Sequence, residues 1–372
     1  MRRMALELVS AGESHGPALV AILTGLPAGL ILDRATIDAD LHRRQQGYGR
    51  SPRQQLERDE VEVLAGLRHG RTLGTPLALL VPNRDHTNWE WGMSPWPPEG
   101  EPSGKGTKPV TQPRPGHADL AGVQKFGHDD VRDALERASA RHTAVLVAAG
   151  AVAKLLLREL GVSVAGSVLE IGGEREGWEA AIDAARGDRD TLGGIVEVRA
   201  AGVFPGLGSY ATREERLDAR LAGALMGIQA VKGVEIGDGF ALARERGSKA
   251  HDEIEAVSSG LGLGRRSNRA GGIEAGVSNG ETIVVRAAMK PLPTLMRPLD
   301  SVDLETGEPA KALVERSDVQ AVEALAVVAE AAVAFELARA ALEKLGGDAM
   351  GDVLAARDAY LARIGERWHP SR

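Results

Sequence analysis

Apolar and polar positions alternate at the start of the chain, over residues 5 to 10, and Ala18 to Leu26 forms a nearly continuous apolar run. Together they predict two strands around the turn Gly12-Glu13-Ser14-His15-Gly16. Asp33 or Thr36 is placed to cap a helix that runs to about Arg44 and stops before Gly47. Val61 to Leu67 and Leu77 to Val81 read as strands on either side of a turn at Gly70 to Thr75. Periodicity then disappears from Asn83 to Gly116, where Trp89, Trp91 and Trp96 stand among prolines and glycines. A loop this long inside a compact domain is usually functional or disordered. It reads as a lid or subunit-contact loop with a mobile tip at Glu99 to Lys108.

Beyond it, Val131 to Leu160 predicts one long helix, with Ala134, Ala138, Val145, Ala149, Val152 and Leu156 on a small-residue face. Further strands are expected at Val162 to Ile171, Ile195 to Val203, from Val234 onward, and Ile283 to Met289. Helices are expected at Trp178 to Ala185 and at Thr212 to Gln229, the latter opened by a Thr212/Glu215 capping box. Two more fall at Asp318 to Leu345 and Asp352 to Ile364. Strands come in pairs around long helices and no Ser/Gly linker divides the chain. The pattern therefore predicts one α+β domain over residues 1–372, with antiparallel sheets packed on helices. The two halves have similar strand-and-helix content, which leaves room for an old duplication, although no sequence identity between them is visible.

Composition narrows the function. The net charge of −7 argues against a general nucleic-acid binder. Clustered arginines in an acidic chain mark a local site and not a global field. With no cysteine, thiolate chemistry is excluded and a reducing cytoplasm is the natural home. No run approaches the roughly 20 apolar residues of a membrane span. No metal site is expected: histidines and acids lack ligand spacing, and Asp129-Asp130 reads as a helix cap.

The candidate chemistry lies in six segments. His15, after Ser14, sits in a glycine-bounded turn where the backbone can approach a ligand and the imidazole can meet an anion. His117 follows Pro115-Gly116, with Asp119 placed to orient its ring. Taken alone, either histidine reads equally well as an exposed turn residue. Arg43, Arg44, Arg50, Arg53 and Arg58 surround Gly47-Tyr48-Gly49, and guanidinium forks suit carboxylates and phosphates. Arg137, Ser139 and Arg141 interrupt the apolar helix, with Arg137 and Arg141 one turn apart on one face. Lys290 to Thr294 ends a strand, and Arg316-Ser317-Asp318 opens a helix whose amide end favours anions. There Asp318 also reads as a plain N-cap. Gly260 to Gly264 is not a dinucleotide fingerprint, because no Gly-x-Gly-x-x-Gly opens a helix after a strand.

In combination, Gly12-Glu13-Ser14-His15-Gly16, Gly25-Leu26-Pro27, Arg114-Pro115-Gly116-His117, Ser139-Ala140-Arg141 and Arg316-Ser317-Asp318 resemble the chorismate synthase family, from Gly12 to about Glu323. The run from Arg43 to Arg50 and the tryptophan-containing insertion resemble its Gram-positive-type branch. The resemblance implies a lyase that removes phosphate from 5-enolpyruvylshikimate 3-phosphate by anti-1,4-elimination to give chorismate. It also implies a need for reduced FMN without net redox change. By the same resemblance, His117 protonates the leaving phosphate, and His15 protonates or stabilises the anionic reduced flavin. Asp318, near Ser14, influences the protonation of flavin N5.

Arg44, Arg50, Arg53 and Arg141 correspond to contacts with substrate or nicotinamide phosphate. Flavin contacts map to Arg137, Ala138, Ser139, Gln229, Ala230, Ala275, Lys290, Pro291, Leu292, Pro293, Thr294 and Arg316. Leu292-Pro293 stands where hydroxyl residues are common in the family, which removes hydroxyl donors there. Ala138 and Ala275 also depart from the family's frequent serine and glycine. The implied fold is a layered sandwich of antiparallel sheets enclosing central helices, assembled as a homotetramer. NADPH enters only indirectly or as flavin reductant, and the motifs leave open whether an external flavin reductase is needed. The rival classes are an NAD(P)H-dependent flavin oxidoreductase, which the missing fingerprint opposes, and an RNA- or anion-binding module, which net acidity and few aromatics oppose.

Overall fold

Buried and less buried residues alternate along the second strand: Leu19, Ala21 and Leu23 point inward, Val20 and Ile22 outward. That period of two makes a sheet with one core face. The computed structural model describes residues 6–50, 58–257, 261–315 and 318–368. In it β1 (Glu7–Ala11), β2 (Ala18–Thr24), β3 (Glu62–Ala65) and β4 (Leu77–Pro82) form an antiparallel sheet ordered β1-β2-β4-β3. In the second half β5 (Ser163–Ile171), β6 (Gly194–Ala201), β7 (Val231–Ile236) and β8 (Ile283–Met289) form another, ordered β5-β6-β8-β7. The two sheets repeat one strand order.

Between them lie two helices that are apolar nearly all round, as a helix enclosed by a core must be. These are α4 (Thr143–Glu159) and α7 (Val322–Leu345). In chain order the other helices of seven residues or more are α1 (Arg34–Gln45), α2 (Asp119–Phe126), α3 (Arg132–Ala138), α5 (Glu179–Gly187), α6 (Leu217–Met226) and α8 (Met350–Trp368) among the described residues. The helix α4 packs on the first sheet, α7 on the second, and the two pack on each other. The layers therefore run sheet, helix, helix, sheet around one continuous core. Antiparallel sheets enclosing central helices were expected, and this is the arrangement found. Residues 132–159 together are long and apolar enough to cross a membrane, but 72% of the apolar 18-residue window within them is buried inside the protein.

Two features fix how closely the central layers approach. Gly150 of α4 faces Ala331 of α7, where a Cβ would lie 2.6 Å from Ala331 Cα and 2.8 Å from its carbonyl oxygen. Glu330, also on α7 and 2% exposed, is the hub of a buried ionic network. Its carboxylate accepts both Arg43 Nη groups at 2.9 Å from α1, Lys154 Nζ from α4, and Gly166 N at 2.8 Å from β5. Asp40 closes the ring with Lys154 and Arg43 at 2.8 Å. Burial alone pushes the Glu330 carboxyl up, but Arg43 and Lys154 outweigh it and hold it below its ordinary range.

Several elements differ from the sequence expectation. The long helix 131–160 is broken: Ser139 takes an extended ψ of 141°, and one 3-10 turn, Ala140–His142, separates α3 from α4. Helix α2 was not foreseen at all. The expected Thr212 capping box does not form, since α6 begins at Leu217 after Arg216. Asp318 does not open a helix either, because α7 starts only at Val322.

Gly150→Ala tests the close approach. Alanine raises helix propensity by about 1 kcal/mol over glycine, yet here its methyl has no room. We expect a net loss of about 1–3 kcal/mol, the usual cost of overpacking, read as a lower urea midpoint. A midpoint at or above that of the unmodified protein would show that the two helices can separate without cost.

Candidate active site

The turn between β1 and β2 is shaped by Gly12, whose φ of 115° few other residues adopt and whose Cβ would lie 2.5 Å from Ala18 O. Helix α3 holds that turn from behind. Ser14 N donates to Glu136 O at 3.1 Å, and His15 N donates to Glu136 Oε2 at 2.9 Å. Arg137 donates to Ser10 O at 3.0 Å and Gly12 O at 3.2 Å. Asn83 Nδ2 closes the other side with bonds to Glu13 O and Gly16 O at 3.0 and 2.8 Å. Ser14 and His15 are thereby presented to a cavity of about 520 Å³.

A second wall is the 114–119 turn. Asp119 is fully buried and accepts from Arg114 N and Nε, each at 2.9 Å, and from Arg114 Nη2 at 3.1 Å. It also accepts from His117 Nδ1. Arg114 Nη2 lies 3.2 Å from the same ring nitrogen. An arginine can only donate and a carboxylate can only accept, so Nδ1–H belongs to Asp119 and Nε2 is left as the proton-exchanging atom. Burial by itself pushes the Asp119 carboxyl up, but His117 and Arg114 together hold it well below the usual carboxylate range. Asp119 thus orients His117, as the sequence spacing suggested.

The break at Ser139 forms the floor. It turns Arg141 away from Arg137, so the two do not share a face as one continuous helix would require. Arg141 instead binds Asp59 at 2.7 and 2.8 Å and Asn83 Oδ1 at 2.9 Å. Asp59 also holds Arg44 at 2.8 Å. Burial lowers the Arg44 pKa and Asp59 opposes that shift. On the far side, Arg50 and Asp318 pair at 2.9 Å, and Lys290 donates to Gly116 O. Arg114 Nη1 reaches Thr294 Oγ1 at 3.0 Å. Ala230 takes a positive φ of 66°, and its carbonyl accepts from Lys290 N at 2.9 Å.

Six basic side chains border the cavity (Arg44, Arg50, Arg114, Arg141, Lys232 and Lys290), against two acids, Glu315 and Asp318, among the described residues. The chain as a whole is negative, so this is a local cationic site built for an anion. The Nε atoms of Arg44 and Arg50 and Gln229 Oε1 are buried without a hydrogen-bond partner among the described residues. Unsatisfied groups of this kind call for a ligand atom. Leu135, Ala138, Ile228, Leu325 and Val328 add an apolar wall suited to a flat ring.

The chorismate synthase family model matches residues 6–342. Curated relatives agree. A chorismate synthase of Desulforudis audaxviator is 52% identical over 387 residues, covering 96% of this chain and 98% of that protein. One of Rubrobacter xylanophilus is 54% identical, covering 96% of each. A solved structure described as a crystal structure of chorismate synthase superposes with a TM-score of 0.78 at 37% identity, covering 98% of this chain and 99% of that one. The chain belongs to the chorismate synthase family.

Of the residues expected at a chorismate synthase site, Ser14, His15, His117 and Asp318 all border the one cavity, with Arg44, Arg50 and Arg141. So do Ala138, Ser139, Gln229, Ala230, Lys290, Leu292, Pro293 and Thr294. Three do not border it. Arg137 is spent on the β1–β2 turn, Pro291 points to solvent, and Ala275 sits exposed at a hairpin tip between Ile273 and Ser278 with φ 51°. Arg53 and Arg316 lie outside the described residues.

Sequence reasoning passed over Glu136, Asp59 and Trp89. Glu136 precedes the noticed Arg137 by one residue, but its partner His15 is 121 positions away. Trp89 belongs to the aperiodic loop, whose residues 105 and 106 return to pack beside it. Lys105 N donates to Asn88 O at 2.8 Å, and Gly106 lies against the Trp89 ring.

Because the folded carboxyl of Asp119 titrates below its unfolded value, it contributes stability above about pH 4. That contribution is lost as pH falls below this. Asp119→Asn should cost about 3 kcal/mol at pH 7, at the low end for a broken buried pair, because Glu315 remains 3.4 Å from Arg114. The gap between variant and unmodified protein should narrow at pH 3. Urea midpoints at both pH values check this; an equal gap would mean that the carboxylate charge contributes nothing.

Proposed function

We propose that the 520 Å³ cavity is where this chorismate-forming lyase holds reduced FMN and 5-enolpyruvylshikimate 3-phosphate together. The observation that carries the reading is the pairing of His117 with buried Asp119 inside a cavity ringed by six basic side chains. The residues present fit a flavin: an apolar wall, unsatisfied polar atoms at Arg44, Arg50 and Gln229, and the Lys290–Thr294 turn. When bound, reduced FMN supplies an electron-rich ring that the elimination needs, with no net redox change.

The chain's own residues do the rest. Arg44, Arg50, Arg114, Arg141 and Lys290 bind two carboxylates and a phosphate. His117, protonated on both nitrogens, holds a proton at Nε2 for the leaving phosphate, while Asp119 keeps the other on Nδ1. His15 carries its proton on the flavin side, and the Asp318 carboxylate, held by Arg50, faces the same space. NADPH, where it acts, is a source of reducing equivalents for the flavin, supplied through this chain or an external reductase. A cytoplasmic homotetramer completes the reading. It is supported by apolar side chains on the outer face of the first sheet, where Val9 and its cross-strand partner Ile22 are 69% and 41% exposed. The repeated strand order supports descent from a duplicated unit.

The decisive test is anaerobic: protein, 5-enolpyruvylshikimate 3-phosphate and dithionite-reduced FMN, following phosphate and chorismate. Both products should form only with reduced flavin. No turnover with flavin bound, and net oxidation of NADPH without substrate, would favour a flavin oxidoreductase instead. His117→Ala should lower turnover by ~10²-fold or more, the scale of general acid catalysis, while flavin affinity is kept. Unchanged turnover would remove His117 from the mechanism.

A further inference from the structure

Glu136 has no part in the chemistry above, yet it is 2% exposed and grips His15 twice. Besides the backbone bond to Oε2, His15 Nδ1 lies 2.9 Å from Glu136 Oε1 and 3.1 Å from Oε2. Trp89 of the long loop stacks on the imidazole with centroids 4.0 Å apart and planes 20° from parallel. The guanidinium of Arg132 lies 5.0 Å from the Trp89 ring centroid, and its Nη1 is 3.5 Å from Glu136 Oε1. His86 Nδ1 donates to the His15 carbonyl at 2.9 Å. Among the described residues, the charged and titratable groups around His15 include Glu136 and Arg132 from α3 and His86 from the loop.

We propose that Glu136 is a positioning residue that fixes His15 as the Nδ1–H tautomer, so that every proton His15 gives or takes passes through Nε2. A carboxylate only accepts hydrogen bonds, and a neutral imidazole has one N–H, so the contact with Glu136 decides which nitrogen carries it. A buried acid that orients a working histidine is a recurrent device. Here it appears twice in one cavity: Asp119 holds Nδ1 of His117 from one wall, and Glu136 holds Nδ1 of His15 from another. The stack of Trp89 and Arg132 fixes the ring plane, which ties the tryptophan-bearing loop to the same histidine. The inference extends the proposed role of His15, but the tautomer belongs to the ligand-free protein and is measured apart from any turnover.

The experiment is long-range proton–nitrogen NMR of the full chain labelled with ¹⁵N-histidine, over pH 5 to 9, with His15 assigned by loss of its signal in His15→Gln. In the unmodified protein, neutral His15 should show the Nδ1–H pattern. In Glu136→Gln the Nε2–H form should become populated. KM should stay within about twofold. Neutral His15 as Nε2–H in the unmodified protein would overturn the proposal, as would a tautomer unchanged in Glu136→Gln. Should that variant fail to fold, the tautomer of the unmodified protein decides alone. A correct tautomer in a protein without lyase activity would sink the proposed function and leave this inference standing.

Discussion

The break between α3 and α4 is the constraint on which the rest of the molecule depends. A helix packed between a sheet and a neighbouring helix must be apolar nearly all round, and α4 is, its partly buried cation Lys154 being met by Asp40 and Glu330. Guanidinium groups in its middle without such partners would carry a large desolvation cost. The chain resolves this at Ser139, where an extended ψ ends one helix before the next begins. The charged groups of this segment that serve the site lie before or at the break. Glu136 and Arg137 reach back to the β1–β2 turn, Ser139 and Arg141 face the cavity, and the apolar helix that follows is free to fill the core.

That division explains how an acidic protein builds a strongly cationic pocket. The arginines are not left bare. Asp59 neutralises part of Arg44 and Arg141, Asp119 part of Arg114, and Asp318 part of Arg50. Each acid also fixes the geometry of its arginine, so less side-chain freedom is lost when an anion arrives. What remains unsatisfied is directional: single Nε atoms of Arg44 and Arg50. The arrangement trades some stability in the empty protein for a site already shaped for its ligand, a trade common at functional sites.

Much of this was legible in the sequence, and the limits have physical reasons. Strands with one buried face announced themselves, because a period of two survives in a single chain. The glycine-bounded histidine turns were legible because positive φ demands particular residues. The Ser139 break was not, since alanine-rich sequence on both sides favours helix and only the tertiary contacts of Arg137 and Arg141 reveal why it must end. Helix α2 was hidden because Asp119 reads as a partner for His117 before it reads as a helix residue, and both readings hold. The Thr212 capping box failed because Gly208 and Gly276 bring two backbones together just before α6 and delay its start to Leu217. Glu136 was invisible for a simpler reason: its partner is distant in sequence, and no local pattern encodes such a pair.

The long loop shows how a segment without periodicity can still be specific. It has no hydrophobic pattern, yet Trp89 is buried where its indole donates to Asp85 Oδ2 at 3.1 Å and its face covers His15. Lys105 and Gly106 return to pack on it, so the loop folds around its own tryptophan and does not hang free. A tryptophan used this way performs two tasks at once. It gives the loop a small core of its own, and it shields one face of the imidazole from water. A histidine pinned by a carboxylate at its edge and a tryptophan on its face has little orientational freedom left. The loop is therefore part of the site's framework, whatever further motion ligand binding brings to its outer residues.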